Sequence, residues 1–176
     1  MFILKTDGSD RLTAMQNKVL ITQGMRPFAQ RVAKLLPVTY TLLFGSAEDV
    51  PNILIDNGNF VRIPHANTPI FIHEVIKKCL DREISVVIPL GVEELYPLAK
   101  GRPLFSEYGI EIWVPDVNVL ANLSVIENPP KQLTLIVLAE GRSIPDGNAD
   151  KRFEGLSGVF TPSDSDDELA LCCIAD

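Results

Sequence analysis

Between residues 18 and 116, short apolar runs that stop at glycine or proline alternate with stretches whose apolar positions recur at helical spacing. The first pattern is that of strands buried on both faces, the second that of amphipathic helices. Val19-Leu20-Ile21-Thr22 ends at Gly24. A helix is expected next, with Pro27 in its first turn and Phe28, Val32, Leu35 and Leu36 on one face. Val38 to Phe44 predicts a second strand, closed by Gly45-Ser46 and a polar loop, and Phe60 to Ile63 a third, stopped by Pro64. From Thr68 the period becomes helical, with Thr68 as cap, Pro69 in the first helical position, and Phe71, Ile72, Val75, Ile76, Cys79 and Leu80 along one side. Ile84 to Leu90 is nearly continuous in β-branched and aliphatic residues and predicts the central strand. Gly91 then turns the chain into a helix opened by Glu93 and Glu94, with Pro97 placed in its first turn. A segment through Phe105 and Tyr108 closes at Gly109 before a fifth strand, Ile110 to Val114.

Strands separated by helical segments need crossover connections. The expected fold is therefore α/β: a small three-layer Rossmann-like domain with a mainly parallel five-stranded sheet and right-handed crossovers, over residues 18–120. Residues 121–176 read as a less regular C-terminal extension rather than an independent domain. Leu133 to Ala139 predicts a strand and Gly155 to Phe160 a weaker one, forming a hairpin or an added sheet edge, with GRSIPDGNADKRFEG as a long polar loop between them. TPSDSDDE reads as acidic and mobile, and Glu168 to Ala175 as a short terminal helix.

A chain of 176 residues supports one proper core and leaves little room for two large domains. A net charge of −7 without a basic cluster argues against nucleic acid as a partner, because counterion release needs grouped Lys and Arg. No apolar run approaches the roughly 18 to 20 residues of a membrane span. The opening MFILKTDGSDRLTAMQNK turns polar too soon for a secretory leader, so a cytoplasmic protein with no membrane partner is expected. Cys79, Cys172 and Cys173 have neither a paired framework nor metal-ligand spacing and are expected to be reduced structural thiols.

Open α/β sheets hold ligands at the C-terminal ends of their strands. That rule makes Gly24, Met25, Arg26, Ser46, Gly91, Glu93 and Glu94 the candidate ligand-binding residues. If Gly24 is aligned with the first glycine of a dinucleotide fingerprint, Arg26 falls on the second and Ala29 on the third; a side chain at 26 blocks the approach of backbone to pyrophosphate. Arg26 is then a surface residue, taken first, or an anion ligand near a helix N-terminus. Glu93 and Glu94 suit a first helical turn, the reading taken first, with an amine or a metal-bound water as the functional alternative. Without a nearby base or nucleophile they define no reaction, so no catalytic residue and no metal site are assigned. Ser46 stands where ribose-binding groups occur in related architectures. His65 and His73 read as surface histidines. Gly155-Leu156-Ser157-Gly158-Val159 reads as a turn rather than a phosphate loop, since no lysine-bearing strand precedes it, and neither Glu127 nor Glu140 belongs to a metal-ligand cluster.

VLITQGMRPFAQRVAKLL, the Ile63-Pro64 strand end, FIHEVIKKCLDREISVVIPLGVEELYPLAK and WVPD together resemble the N-terminal, preATP-grasp domain of ATP-grasp ligases. The likeness is to the carbamoyl-phosphate-synthase-like and related carboxylate–amine ligase branch. It implies a Rossmann-like sheet that packs beside two further lobes, which hold ATP and magnesium through strand lysines, a glycine-rich loop and acidic ligands. Residues 117–176 are too few for both lobes. The expectation is a stand-alone preATP-grasp-like domain acting as a binding or assembly module, with no cofactor of its own. The alternative is a subunit of a split ATP-dependent carboxylate–amine ligase, for which ATP and magnesium enter only with an ATP-grasp partner chain. A small-molecule sensor follows from fold analogy alone. Such a domain normally buries apolar surface against its neighbours, so homo-oligomers or a partner chain are expected, with Leu133 to Ala139 covering that surface or pairing across a dimer.

Overall fold

A computed structural model describes residues 17–165 and 167–175. The opening segment, read above as too polar for a leader, lies almost entirely outside them. Five strands form the first sheet: β1 (Lys18–Ile21), β2 (Thr41–Ser46), β3 (Phe60–Arg62), β4 (Val86–Ile88) and β5 (Glu111–Ile112). All are parallel, in the order β3-β2-β1-β4-β5, so the winding direction reverses between β1 and β4. The helices are α1 (Pro27–Ala33), α2 (Asn52–Asp56), α3 (Phe71–Arg82), α4 (Val92–Glu107) and α5 (Val117–Leu120).

Alternation along β1 builds the layers. Leu20 faces a cluster with Phe71, Val75 and Cys79 of α3 and Leu95, Leu98 and Phe105 of α4, whereas Val19 and Ile21 face Phe28, Ala29 and Val32 of α1. This is the expected three-layer Rossmann-like α/β arrangement. Among the described residues no helix is long and apolar enough to cross a membrane.

Local differences from the pattern have physical causes. Pro37 accepts from the Tyr40 N–H in a turn that leaves Val38 fully exposed, so β2 begins at Thr41 rather than Val38. Thr68 donates its hydroxyl to the His65 carbonyl instead of capping, and α3 starts at Phe71. Pro97 is the sixth residue of α4, beyond its first turn, and Pro103 follows it in the same helix. Each proline removes a backbone donor. The helix persists because Leu95, Leu98, Ala99 and Phe105 are buried on its inner face.

The remainder of the chain is more regular than its pattern suggests. It forms a second sheet in the order β6-β10-β9-β7-β8, from β6 (Val125–Glu127), β7 (Ile136–Ala139), β8 (Arg142–Ile144), β9 (Gly158–Pro162) and β10 (Leu169–Cys173). Glu168 to Ala175 is therefore not a helix: pairing with β9 on one side and β6 on the other extends it. The predicted long polar loop contains β8, joined to β7 through Glu140 and Gly141, both in the left-handed region at φ 49° and 78°. That conformation matches the twist of a two-residue hairpin. β7 lies between β8 and β9 and has no open edge, so the Leu133 to Ala139 run covers the core and does not pair across a dimer.

Both faces of the inner strands β10, β9 and β7 are buried in the same two clusters. Leu138, Phe160, Leu171 and Cys173 join the α3/α4 side; Val137, Val159 and Cys172 join the α1 side. The adjacent cysteines thus point to opposite faces as free thiols. Burial pushes Cys172 up to about 11 and Cys79 and Cys173 up to about 12, so all three stay protonated and unreactive near neutrality.

Two substitutions test this packing by urea denaturation. Phe160→Ala empties a fully buried site shared by both sheets and is expected to cost about 3–5 kcal/mol. Gly24→Ala would bring a new methyl within 2.6 Å of the Phe44 Cβ and is expected to cost about 1–3 kcal/mol through overpacking.

Candidate functional site

The reversal of strand order between β1 and β4 opens a crevice above their C-terminal ends, the usual ligand position in such sheets. A small cleft lies there. Its walls come from Gln23 after β1, Ala47 and Glu48 after β2, His65 and Ala66 after β3, Gly91 to Glu94 at the start of α4, and Ile174 just beyond β10. The enclosed cavity is about 40 Å³, enough for one functional group of a ligand and too little for a whole nucleotide.

Glu94 forms the floor. It is 4% exposed, and its carboxylate accepts from the Thr22 hydroxyl, from the Gly91 N–H at 3.1 Å and from Gln23 Nε2 at 3.2 Å. Thr22 Oγ1 in turn accepts the Leu90 N–H at 2.8 Å. The carboxylate folds back onto the residue three positions earlier, satisfying a donor that the start of a helix leaves orphaned. Gly91 is required for that approach: a Cβ there would lie 2.6 Å from Gln23 Nε2 and 2.9 Å from Glu94 Cδ. Burial pushes the Glu94 carboxyl upward from its ordinary value, while the hydrogen bonds from Thr22, Gly91 and Gln23 pull it back.

Two donors at this turn are used internally. Gly91 N–H goes to Glu94 and Val92 N–H to the Ile174 carbonyl at 2.8 Å. What faces the cleft is mainly acceptors, from Glu48, Glu93 and Glu94, with His65 on the rim. Among the described residues no three His, Cys, Asp or Glu side chains converge to hold a metal.

The structure divides the predicted residues. Gly91, Glu93 and Glu94 share the cleft, with Glu93 exposed and Glu94 buried. Gly24, Met25 and Arg26 line a different, shallow hollow beside α1, together with Gln30, Lys34 and Phe60. Arg26 forms a 2.8 Å ion pair with Glu48, a residue of the cleft wall. Ser46 is buried under the second loop, where its hydroxyl accepts the Glu48 N–H at 3.1 Å and shapes that turn. Gly155 adopts φ 77° in a turn, Glu140 pairs with Arg102 at 3.0 Å, and Glu127 is exposed on β6.

Sequence reasoning missed Thr22, Gln23 and Glu48, and placed His65 on the surface without linking it to the site. One signal was present: Thr22 is the polar residue ending the β1 run, at the strand terminus where ligand-side groups stand. Gln23 carries the less common φ of 54° for a residue with a side chain, which turns the loop over the cleft. Comparison of the sequence with protein-family models and with curated proteins finds no match.

Thr22→Val is expected to cost about 1–3 kcal/mol in chemical denaturation, because it removes the acceptor of the buried Leu90 N–H and one of the three donors to the Glu94 carboxylate. The Glu94 carboxyl titrates in the folded protein above its unfolded value of 4.5. Its contribution to stability is therefore full below that pH and is lost as pH rises through the folded value. Glu94→Gln is expected to flatten this fall in urea denaturation across the acid to neutral range. Where the carboxyl is ionised the amide should also cost about 1–3 kcal/mol, because its NH2 meets donors that a carboxylate oxygen accepts.

Proposed function

We propose that this chain is a preATP-grasp-like domain working as a binding or assembly module, which takes one polar group of a small ligand in the cleft between the ends of β1 and β4. The observation that carries the reading is the location of that cleft at the reversal of strand order, with side chains from four successive loops converging on it. The family half of the reading is supported by the resembling segments falling in order on β1 and α1, the end of β3, α3 through α4, and the end of β5. The assembly half is supported by an apolar hollow between α4 and α5, lined by Leu95, Tyr96, Val117, Leu120 and Val125.

Isothermal titration calorimetry against amino acids and nucleotides tests the binding half. A saturable heat with one class is expected, weakened about tenfold by Glu93→Ala, the loss of one hydrogen bond to a charged group. Titrations without heat for either class, together with an unchanged melting temperature, would remove the basis for a ligand site.

A further inference from the structure

We propose that Ile174 and Ala175 form a strap that closes the cleft and detaches as a local unit, opening it without unfolding either sheet. The proposal rests on reading the cleft as the ligand site. The strap's backbone hold on the first sheet is one residue long, supplemented by the Ile174 side chain, which is 9% exposed and belongs to the same apolar cluster as Ile21, Ile88 and Leu90. Ile174 makes a single-residue parallel bridge to Gly91, with its N–H donating to the Leu90 carbonyl at 2.6 Å and its carbonyl accepting from the Val92 N–H at 2.8 Å. The next residue is tied only to its own sheet, where the Ala175 N–H donates to Asn128 Oδ1 at 3.2 Å.

Both sides of this bridge are anchored independently of it. Upstream, β10 is paired with β9 along Leu169 to Leu171 and with β6 along Leu171 to Cys173. Across the bridge, the start of α4 is held to β1 through Glu94, Thr22 and Gly91. Lifting Ile174 therefore costs the two bridge hydrogen bonds and the burial of one isoleucine side chain but neither element its own hydrogen bonds, which is the condition for a sub-global opening. It would change the cleft in two ways. The wall formed by the Ile174 side chain would withdraw, and the Leu90 carbonyl and the Val92 N–H, now satisfied by the strap, would face the cavity. In the closed state the site presents acceptors; in the open state it gains a donor at the N-terminus of a 16-residue helix.

Amide hydrogen exchange followed by NMR on the full chain, with no ligand added, tests the strap directly. The Val92 and Ile174 amides are expected to exchange together and about tenfold or more faster than those of Leu20 and Val87 in the central sheet, as a cheaper local opening requires. Ile174→Gly should accelerate Val92 by about a further tenfold and leave Leu20 and Val87 unchanged. Exchange of Val92 and Ile174 as slow as that of Leu20 and Val87 would overturn the proposal, and so would equal acceleration of all sites in the variant. Because exchange needs no ligand, either result leaves the binding reading standing, and silent calorimetry would sink that reading without touching the strap.

Discussion

The carboxylate of Glu94 is the interaction on which the ligand side of this molecule depends. It belongs to the first turn of α4, yet its hydrogen bonds reach Thr22 and Gln23 at the end of β1. One buried group therefore fixes the two loops that flank the reversal of strand order. Its charge has no cation beside it and is stabilised by neutral donors alone, which is why burial outweighs them in shifting its titration upward. The glycine before α4 follows from the same constraint, since any side chain at 91 would occupy the space through which the carboxylate folds back.

This arrangement separates the turn from phosphate-binding turns of related architecture. There, backbone N–H groups at a helix N-terminus are left for the ligand. Here the Gly91 and Val92 donors are taken by the protein's own Glu94 carboxylate and Ile174 carbonyl. The chemistry that remains is acceptor-rich and shallow, suited to holding one polar group rather than enclosing a nucleotide. Arg26, the cation that might have balanced an anion nearby, is engaged with Glu48.

The two sheets are coupled through shared packing more than through strand pairing. Among the described residues a single bridge joins them, but Phe160 and Leu171 pack with the α3/α4 core, and Val137 and Val159 with the α1 core. Arg31 on α1 adds a polar tie, donating to the Pro129, Pro130 and Leu133 carbonyls of the segment leading into β7. The apolar surface that the first sheet and its helices would otherwise expose is thereby covered in large part by the chain itself, leaving the hollow between α4 and α5 as a remaining apolar feature.

The amino-acid pattern by itself determined the first sheet, because parallel strands buried on both faces must be apolar throughout and so announce themselves by composition. Val19 to Ile21 and Val86 to Ile88 are of this kind, and the stripe of α3 through Phe71, Val75 and Cys79 carries its own period. The pattern also marked β7 and β9, and only the tertiary structure decided the other three strands of the second sheet. β8 has three residues, and Leu169 to Cys173 suits a helix as well as a strand until β6 and β9 flank it. The site was legible as a location and not as a set of residues. Glu93 and Glu94 are equivalent in the sequence; helix phase and the absence of a side chain at Gly91 bury one and leave the other in solvent. Gln23, Glu48 and His65 come from loops far apart in the chain, and their convergence is a property of strand order, which no local pattern of residues contains.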